Sequence, residues 1–367
     1  MAQPKQVAKN TPIPSTFTLF LSAMIVVVAL MVSLPVFAQQ PLANSPQLPV
    51  SPANAVATPP ANSEPIMSQF KKTVIFLETD CLTTSADGSQ TVTPYLGTGF
   101  LVLHHDDRFP QIGGFNYLVT NRHVAYPGAE NHSPCRVVDY KVRFNLRQPE
   151  TNGTALSEAF SLGPNVPWSL STDESADIAV TPFGVDENKF SFLTFPTSLF
   201  LTDGQAKQNR VVEGDSVVFT GLFVQFLGQV KLEPIVREGK IAMIPGEPIP
   251  TTLRSLGQVY LVDAHVFGGN SGSPILVNLA GQRDNGLIAG MNYKLLGLVS
   301  GYVQETSELN LQPVAGYAGT VVANSGIAIV VPAQQILDLL EAPKMQEMRQ
   351  QVVANQATAT SPLPIGR

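Results

Sequence analysis

Residues 117–125 read Tyr117-Leu118-Val119-Thr120-Asn121-Arg122-His123-Val124-Ala125, a run of strand-forming residues that breaks at Asn121-Arg122 and ends on a histidine. β-Branched and aromatic side chains suit the pleated, half-buried surface of a sheet, so the stretch reads as a strand delivering an imidazole at its end. Similar short runs closed by turn residues recur at 73–77, 97–103, 141–144, 178–181, 216–220, 258–262 and 296–300. Helical spacing of apolar residues emerges only at Ala333–Leu340, AQQILDLL. Many short strands without strand–helix alternation predict an all-β fold, an antiparallel sandwich or barrel capped by a C-terminal helix.

Composition agrees. Of the 367 residues, 44% are hydrophobic and 14% charged, against roughly 25% charged in ordinary soluble domains, which excludes wholesale disorder and a coiled coil. The 30 prolines and 28 glycines favour turns over long helices. A net charge of −6 with no basic run argues against nucleic acid as a partner.

The N-terminal region divides by composition. Lys5 and Lys9 precede an uncharged apolar stretch, 17–36, that ends in Val36-Phe37-Ala38. Residues 1–38 therefore read as a signal peptide with cleavage after Ala38. An uncleaved membrane anchor is the alternative, since about 20 apolar residues span a bilayer, although Pro35 and the serines weaken a continuous helix. Either way the bulk of the chain is expected outside the cytoplasm, periplasmic or extracellular, with a membrane as partner only if the segment is retained. Residues 39–67 are a Pro/Ala-rich linker of a kind that does not bury enough apolar surface to fold. The folded unit is expected over 68–341, followed by a polar tail, 342–367.

Three short segments carry the chemistry: His123 at its strand end, Asp177 in Ala176-Asp177-Ile178-Ala179-Val180, and Ser271 in Phe267-Gly268-Gly269-Asn270-Ser271-Gly272-Ser273-Pro274. A serine hydroxyl is a poor nucleophile at neutral pH and needs an imidazole of suitable pKa to take its proton. A buried carboxylate then fixes the imidazole tautomer and stabilises the imidazolium that forms. Glycines let the turn Gly269-Asn270-Ser271 aim backbone amides, those of Gly269 and Ser271, at a developing oxyanion. All five histidines precede Ser271, which excludes the Ser–Asp–His order of an α/β-hydrolase.

With these segments in place the chain resembles a chymotrypsin-fold serine endopeptidase, closest to the bacterial envelope group that includes the high-temperature-requirement proteases. Gly97-Thr98-Gly99-Phe100-Leu101-Val102 is similar to the strand before the histidine in that group. Glu213-Gly214-Asp215-Ser216-Val217-Val218 resembles the strand opening its second barrel. Gly297-Leu298-Val299-Ser300-Gly301 resembles the strand along which substrate backbone pairs, and residues 325–332 its closing strand. The resemblance spans about residues 70–340. It implies two six-stranded antiparallel barrels with the site between them, polypeptide substrates, and no cofactor or metal. It also implies a substrate pocket lined by His265, Ser300, Gly301 and Tyr302. His265 stands where trypsin-like relatives place the aspartate that selects Lys or Arg, so no basic preference is expected. Tyr302 would narrow the pocket toward small or medium apolar side chains; His265 reads first as a strand residue satisfied by backbone contacts, with a partner for an acidic side chain as the alternative.

Two departures stand out. Ser273 replaces a glycine usual in the family, and Asn270 replaces the aspartate that zymogen-activated relatives pair with a new N-terminus, so no such switch is expected. The residues after Glu341 are too few for the peptide-binding domain that many envelope relatives append. A catalytically idle protease fold serving as a binding or sensor protein is the competing reading.

Cys81 and Cys135 flank the His123 segment and, in an exported protein, are expected to form a disulfide closing a 54-residue loop. His104-His105-Asp106-Asp107 reads as a solvated hairpin turn rather than a metal site. Asp173, Glu174 and Asp215 read as loop or turn residues, and Trp168 as packing.

Overall fold

Strand Val74–Thr84 is buried along most of its length, as an apolar run needs when both faces of a strand are covered. It pairs antiparallel with Gln90–His104 on one side and Arg136–Asn145 on the other. The structure is a computed structural model that describes residues 64–85, 87–148, 156–283, 286–309 and 319–360. The expected signal peptide and all but the last residues of the expected linker lie outside the described residues.

The N-terminal half forms an eight-stranded sheet in the order Ser157–Ser161, Arg136–Asn145, Val74–Thr84, Gln90–His104, Phe115–Thr120, Ala179–Pro182, Ser169–Leu170, with Phe195–Pro196 parallel to Gln90–His104. This differs from the six strands expected for a first barrel. The outer strands are only five and two residues long, and side chains fill the space near them. Phe144 lies within ring contact of Phe160, Phe183, Phe190 and Phe192.

The C-terminal half is the expected closed six-stranded barrel, running Ile235–Met243, Tyr260–Asp263, Gly319–Pro332, Tyr293–Leu309, Pro274–Asn278, Ser216–Gly221 and back. Val217, Phe219, Ile241, Val262, Ile275, Val277, Val299 and Val330 fill it. A second core joins the halves: Phe100, Val119 and Ile178 of the sheet meet Val218, Leu276, Leu298 and Val331 of the barrel. The predicted helix Ala333–Leu340 forms and buries Ile336 and Leu340 in that core. The architecture is thus chymotrypsin-like and all-β.

One expectation gains a structure and another is corrected. Helix Pro343–Thr360 occupies most of the expected tail and is anchored by Arg349, which is 1% exposed. Arg349 donates to Asp106 Oδ2 at 2.6 Å and to the Leu340 carbonyl at 2.7 Å. The turn after His104 is accordingly not wholly solvated: His104 and Asp106 are buried, and Asp106 also accepts from Arg108. A buried carboxylate needs such partners, and these two arginines hold its carboxyl well below the usual range, Arg108 first among them.

Cys81 and Cys135 form a disulfide that ties the central strand to the segment following His123. Closing a loop of that length stabilises by about 4 kcal/mol on chain-entropy grounds. Trp168 is buried edge-on against Tyr140, and Asp173 and Glu174 are exposed.

Candidate active site

Strand Phe115–Thr120 ends in the one-turn helix Arg122–Ala125, and that turn carries His123 off the sheet edge toward Asp177. His123 Nδ1 lies 2.7 Å from Asp177 Oδ2, and the His123 backbone N–H donates to Asp177 Oδ1 at 3.1 Å. Asn121 Nδ2 donates to the Asp177 carbonyl, fixing the backbone of the acid. Asp177 is fully buried, whereas the His123 side chain is 18% exposed.

Burial alone would depress the imidazole pKa, but the charge of Asp177 and its hydrogen bond outweigh burial and hold His123 above the ordinary value. Burial likewise favours a neutral Asp177. The charge of His123, with donors from His123 and Ser300, reverses this and keeps the carboxyl below its usual range. The pair is therefore tuned toward an ionised acid beside a basic imidazole.

Ser300 joins the acid to the candidate nucleophile. Its hydroxyl donates to Asp177 Oδ2 at 2.5 Å. That hydroxyl has a single proton, so the 2.7 Å bond between Ser300 Oγ and Thr252 Oγ1 has Thr252 as donor. The Ser300 carbonyl accepts from Ser271 Oγ at 3.1 Å. Ser271 is thus turned onto Ser300 rather than hydrogen-bonded to His123, an arrangement common where catalytic contacts tighten only on substrate binding.

The turn carrying Ser271 is held at several points. Gly269 and Gly272 adopt φ of +93° and +86°, which side chains rarely accept, and a Cβ on Gly272 would collide with the Thr98 carbonyl. Thr98 accepts from Leu222 N and donates its hydroxyl to the Gly269 carbonyl, while its own amide donates to the Ser271 carbonyl. Asn270 is buried; its Oδ1 accepts from Phe267 N and its Nδ2 donates to the Leu222 carbonyl. The Asn270 amide is committed to the Phe267 carbonyl, so within the expected oxyanion-hole turn Gly269-Asn270-Ser271 this residue shapes the turn and does not donate. Among the described residues, the amides of Gly269 and Ser271 have no acceptor, and both stand free for an incoming oxygen.

Of the residues expected to line the substrate pocket, Ser300 holds the acid through its side chain. Gly301 and Tyr302 pair with Ile329 and Ala328 in the barrel wall, with Tyr302 half-buried against the barrel core. His265 is exposed and its ring faces Gly326. A cavity of about 350 Å³ opens beside the His123 turn, lined by Arg122, Tyr126, Leu170 and Leu253.

Sequence reading missed Thr98, Thr252 and the carboxylate bond of Ser300. A threonine set between Gly97 and Gly99 was the one signal available, because glycines on both sides of a buried hydroxyl mark close backbone approach.

No protein-family profile matches the chain, and no curated protein is significantly similar to it. Among solved structures it is similar to Deg5, at 17% identity over 64% of this chain and 82% of that one, with a TM-score of 0.36. It is similar to the Rv3671c protease in an inactive form, at 17% identity over 75% and 91%, TM-score 0.37. A mutant of Rv3671c from M. tuberculosis H37Rv, also in an inactive form, is similar at 16% identity over 78% and 96%, TM-score 0.37.

Proposed function

We propose that the chain is an exported serine endopeptidase that hydrolyses peptide bonds. The observation that carries the reading is the linked set at one locus: an imidazole 2.7 Å from a buried carboxylate, and a serine hydroxyl bonded to the residue that also holds that carboxylate.

In this reading a bound peptide displaces the Ser271 hydroxyl from the Ser300 carbonyl toward His123 Nε2. His123 takes the proton as Oγ attacks the carbonyl carbon, and the Gly269 and Ser271 amides receive the oxyanion. Asp177, ionised and desolvated, stabilises the imidazolium. His123 returns the proton to the departing amine, and the acyl-enzyme is released by a water that repeats the relay. The disulfide fits an oxidising compartment and supports export.

Digestion of an unfolded polypeptide followed by mass spectrometry tests the activity. Discrete cleavage products are expected from the wild type and none from Ser271→Ala. The engagement of Ser271 with Ser300 favours one competing reading, an idle protease fold used for binding, which predicts no products from either.

A further inference from the structure

Residues 249–257 form a short hairpin whose ends, Ile249–Pro250 and Leu256–Gly257, pair antiparallel. The Thr251 amide donates to the Ser255 carbonyl at 2.8 Å and the Arg254 amide to the Thr251 carbonyl at 3.0 Å, and Thr251 and Leu253 are buried. Glycine stands at both of the hairpin's close contacts. A Cβ on Gly257 would fall 2.5 Å from the hydroxyl of Ser175, two residues before Asp177, and a Cβ on Gly301 would fall 3.0 Å from Thr252 Oγ1. The hairpin is therefore wedged between the segment that brings in the acid and the barrel strand that carries Ser300.

Thr252, in the turn of that hairpin, meets the support of the acid. An ionised carboxylate has no proton to give, so the single proton of Ser300 lies toward Asp177 Oδ2 and Thr252 donates to Ser300 Oγ. Among the described residues the Thr252 hydroxyl has no other partner. Donation thus runs one way, from Thr252 to Ser300 to Asp177, whose Oδ2 also faces His123 Nδ1. If Ser300 turned its proton toward Thr252 instead, Asp177 would lose a donor in a fully buried site, which is costly for a charge. Hydrogen bonds in such a chain also polarise one another.

We propose that Thr252 is a positioning residue for the reaction: by donating to Ser300 Oγ it commits the Ser300 proton to Asp177 and holds the carboxylate in register with His123. It acts through Ser300 and not on the reacting atoms. The inference rests on the endopeptidase reading and adds to it a control point outside the three relay residues. The charges acting on His123 are those of Asp177 and, more weakly, Glu130, and removing the Thr252 hydroxyl alters neither. A carboxylate with a weakened donor chain holds the imidazolium more strongly, so without that hydroxyl His123 loses its proton at higher pH.

The test follows the His123 ring of the full chain by NMR through a pH titration, alongside the rate of Ser271 labelling by a fluorophosphonate. Thr252→Val, close to threonine in shape, is expected to raise the His123 midpoint by about 0.2–0.5 pH unit. It should slow labelling about two- to ten-fold, the range that one hydroxyl hydrogen bond supplies. Thr252→Ala should match the valine variant, and Thr252→Ser should restore both readouts. In a Ser300→Ala background Thr252→Val should add no further shift and no further slowing. A midpoint that stays in place or falls, or an equal effect of Thr252→Val in both backgrounds, overturns the proposal and leaves the endopeptidase reading intact. A wild type that takes no label overturns that reading and the role of Thr252 in it.

Discussion

The hydroxyl of Ser273 occupies the space that a side chain on Gly221 would need: a Cβ built on Gly221 falls well inside contact distance of Ser273 Oγ, and 3.2 Å from Thr98 Oγ1. Ser273 is fully buried and its hydroxyl has no partner. The serine two residues past the candidate nucleophile is therefore accommodated by a glycine on the opposite strand. Gly221→Ala should cost about 1–3 kcal/mol through overpacking, with most of it recovered in Gly221→Ala/Ser273→Gly. Ser273→Ala should be neutral or slightly stabilising, because it removes an unsatisfied hydroxyl. Urea denaturation midpoints of the four proteins check this.

The raised His123 and lowered Asp177 pKa values fix the sign of two pH effects. His123 acts as a base only when neutral, so kcat/KM should fall as pH drops through a value above the ordinary imidazole pKa of about 6.5. In Asp177→Asn, kcat should drop about 10⁴-fold and the acid limb should move to lower pH.

The same pair contributes to stability in a defined window. The Asp177 contribution is present above the unfolded carboxyl pKa and lost as pH falls through its lowered folded value. The His123 contribution is present below the unfolded imidazole pKa and lost as pH rises through its raised folded value. The Tm difference between wild type and Asp177→Asn should therefore be largest between about pH 4 and 6.5. A flat difference across pH 3–9 would contradict it.

Arg349 makes the C-terminal helix part of the fold rather than an appendage. Removing one partner of a buried ion pair costs about 3–5 kcal/mol. Arg349→Met should sit near the lower end, because Asp106 keeps Arg108. Truncation after residue 341 should cost at least as much, and chemical denaturation of both variants measures it.

What the sequence disclosed follows from how local each feature is. His123, Asp177 and Ser271 each sit in a motif legible over a few residues: a strand end, an acid opening an apolar run, a serine among glycines. In the C-terminal barrel the strands overlapping 216–220, 258–262, 296–300 and 325–332 were legible as runs or by resemblance, whereas Ile235–Met243 and Pro274–Asn278 were not, and the six-stranded closure was implied by the resemblance alone. The contacts that assemble the site are not local. Ser300 reaches Asp177 across 123 positions and Thr98 reaches Gly269 across 171, and no short pattern encodes such pairings. Helix Pro343–Thr360 was hidden because its few apolar residues form no continuous stripe; Met345 enters the core and Arg349 holds Asp106, contacts that no local pattern announces. The short outer strands of the first sheet carry too few residues to show alternation.

Labelling of the purified protein with a fluorophosphonate, followed by peptide mapping, tests the central claim most directly. The account predicts a covalent adduct on Ser271 that disappears in Ser271→Ala and is strongly slowed in His123→Ala. A folded wild-type protein that takes up no label, or an adduct that persists in Ser271→Ala, would contradict it.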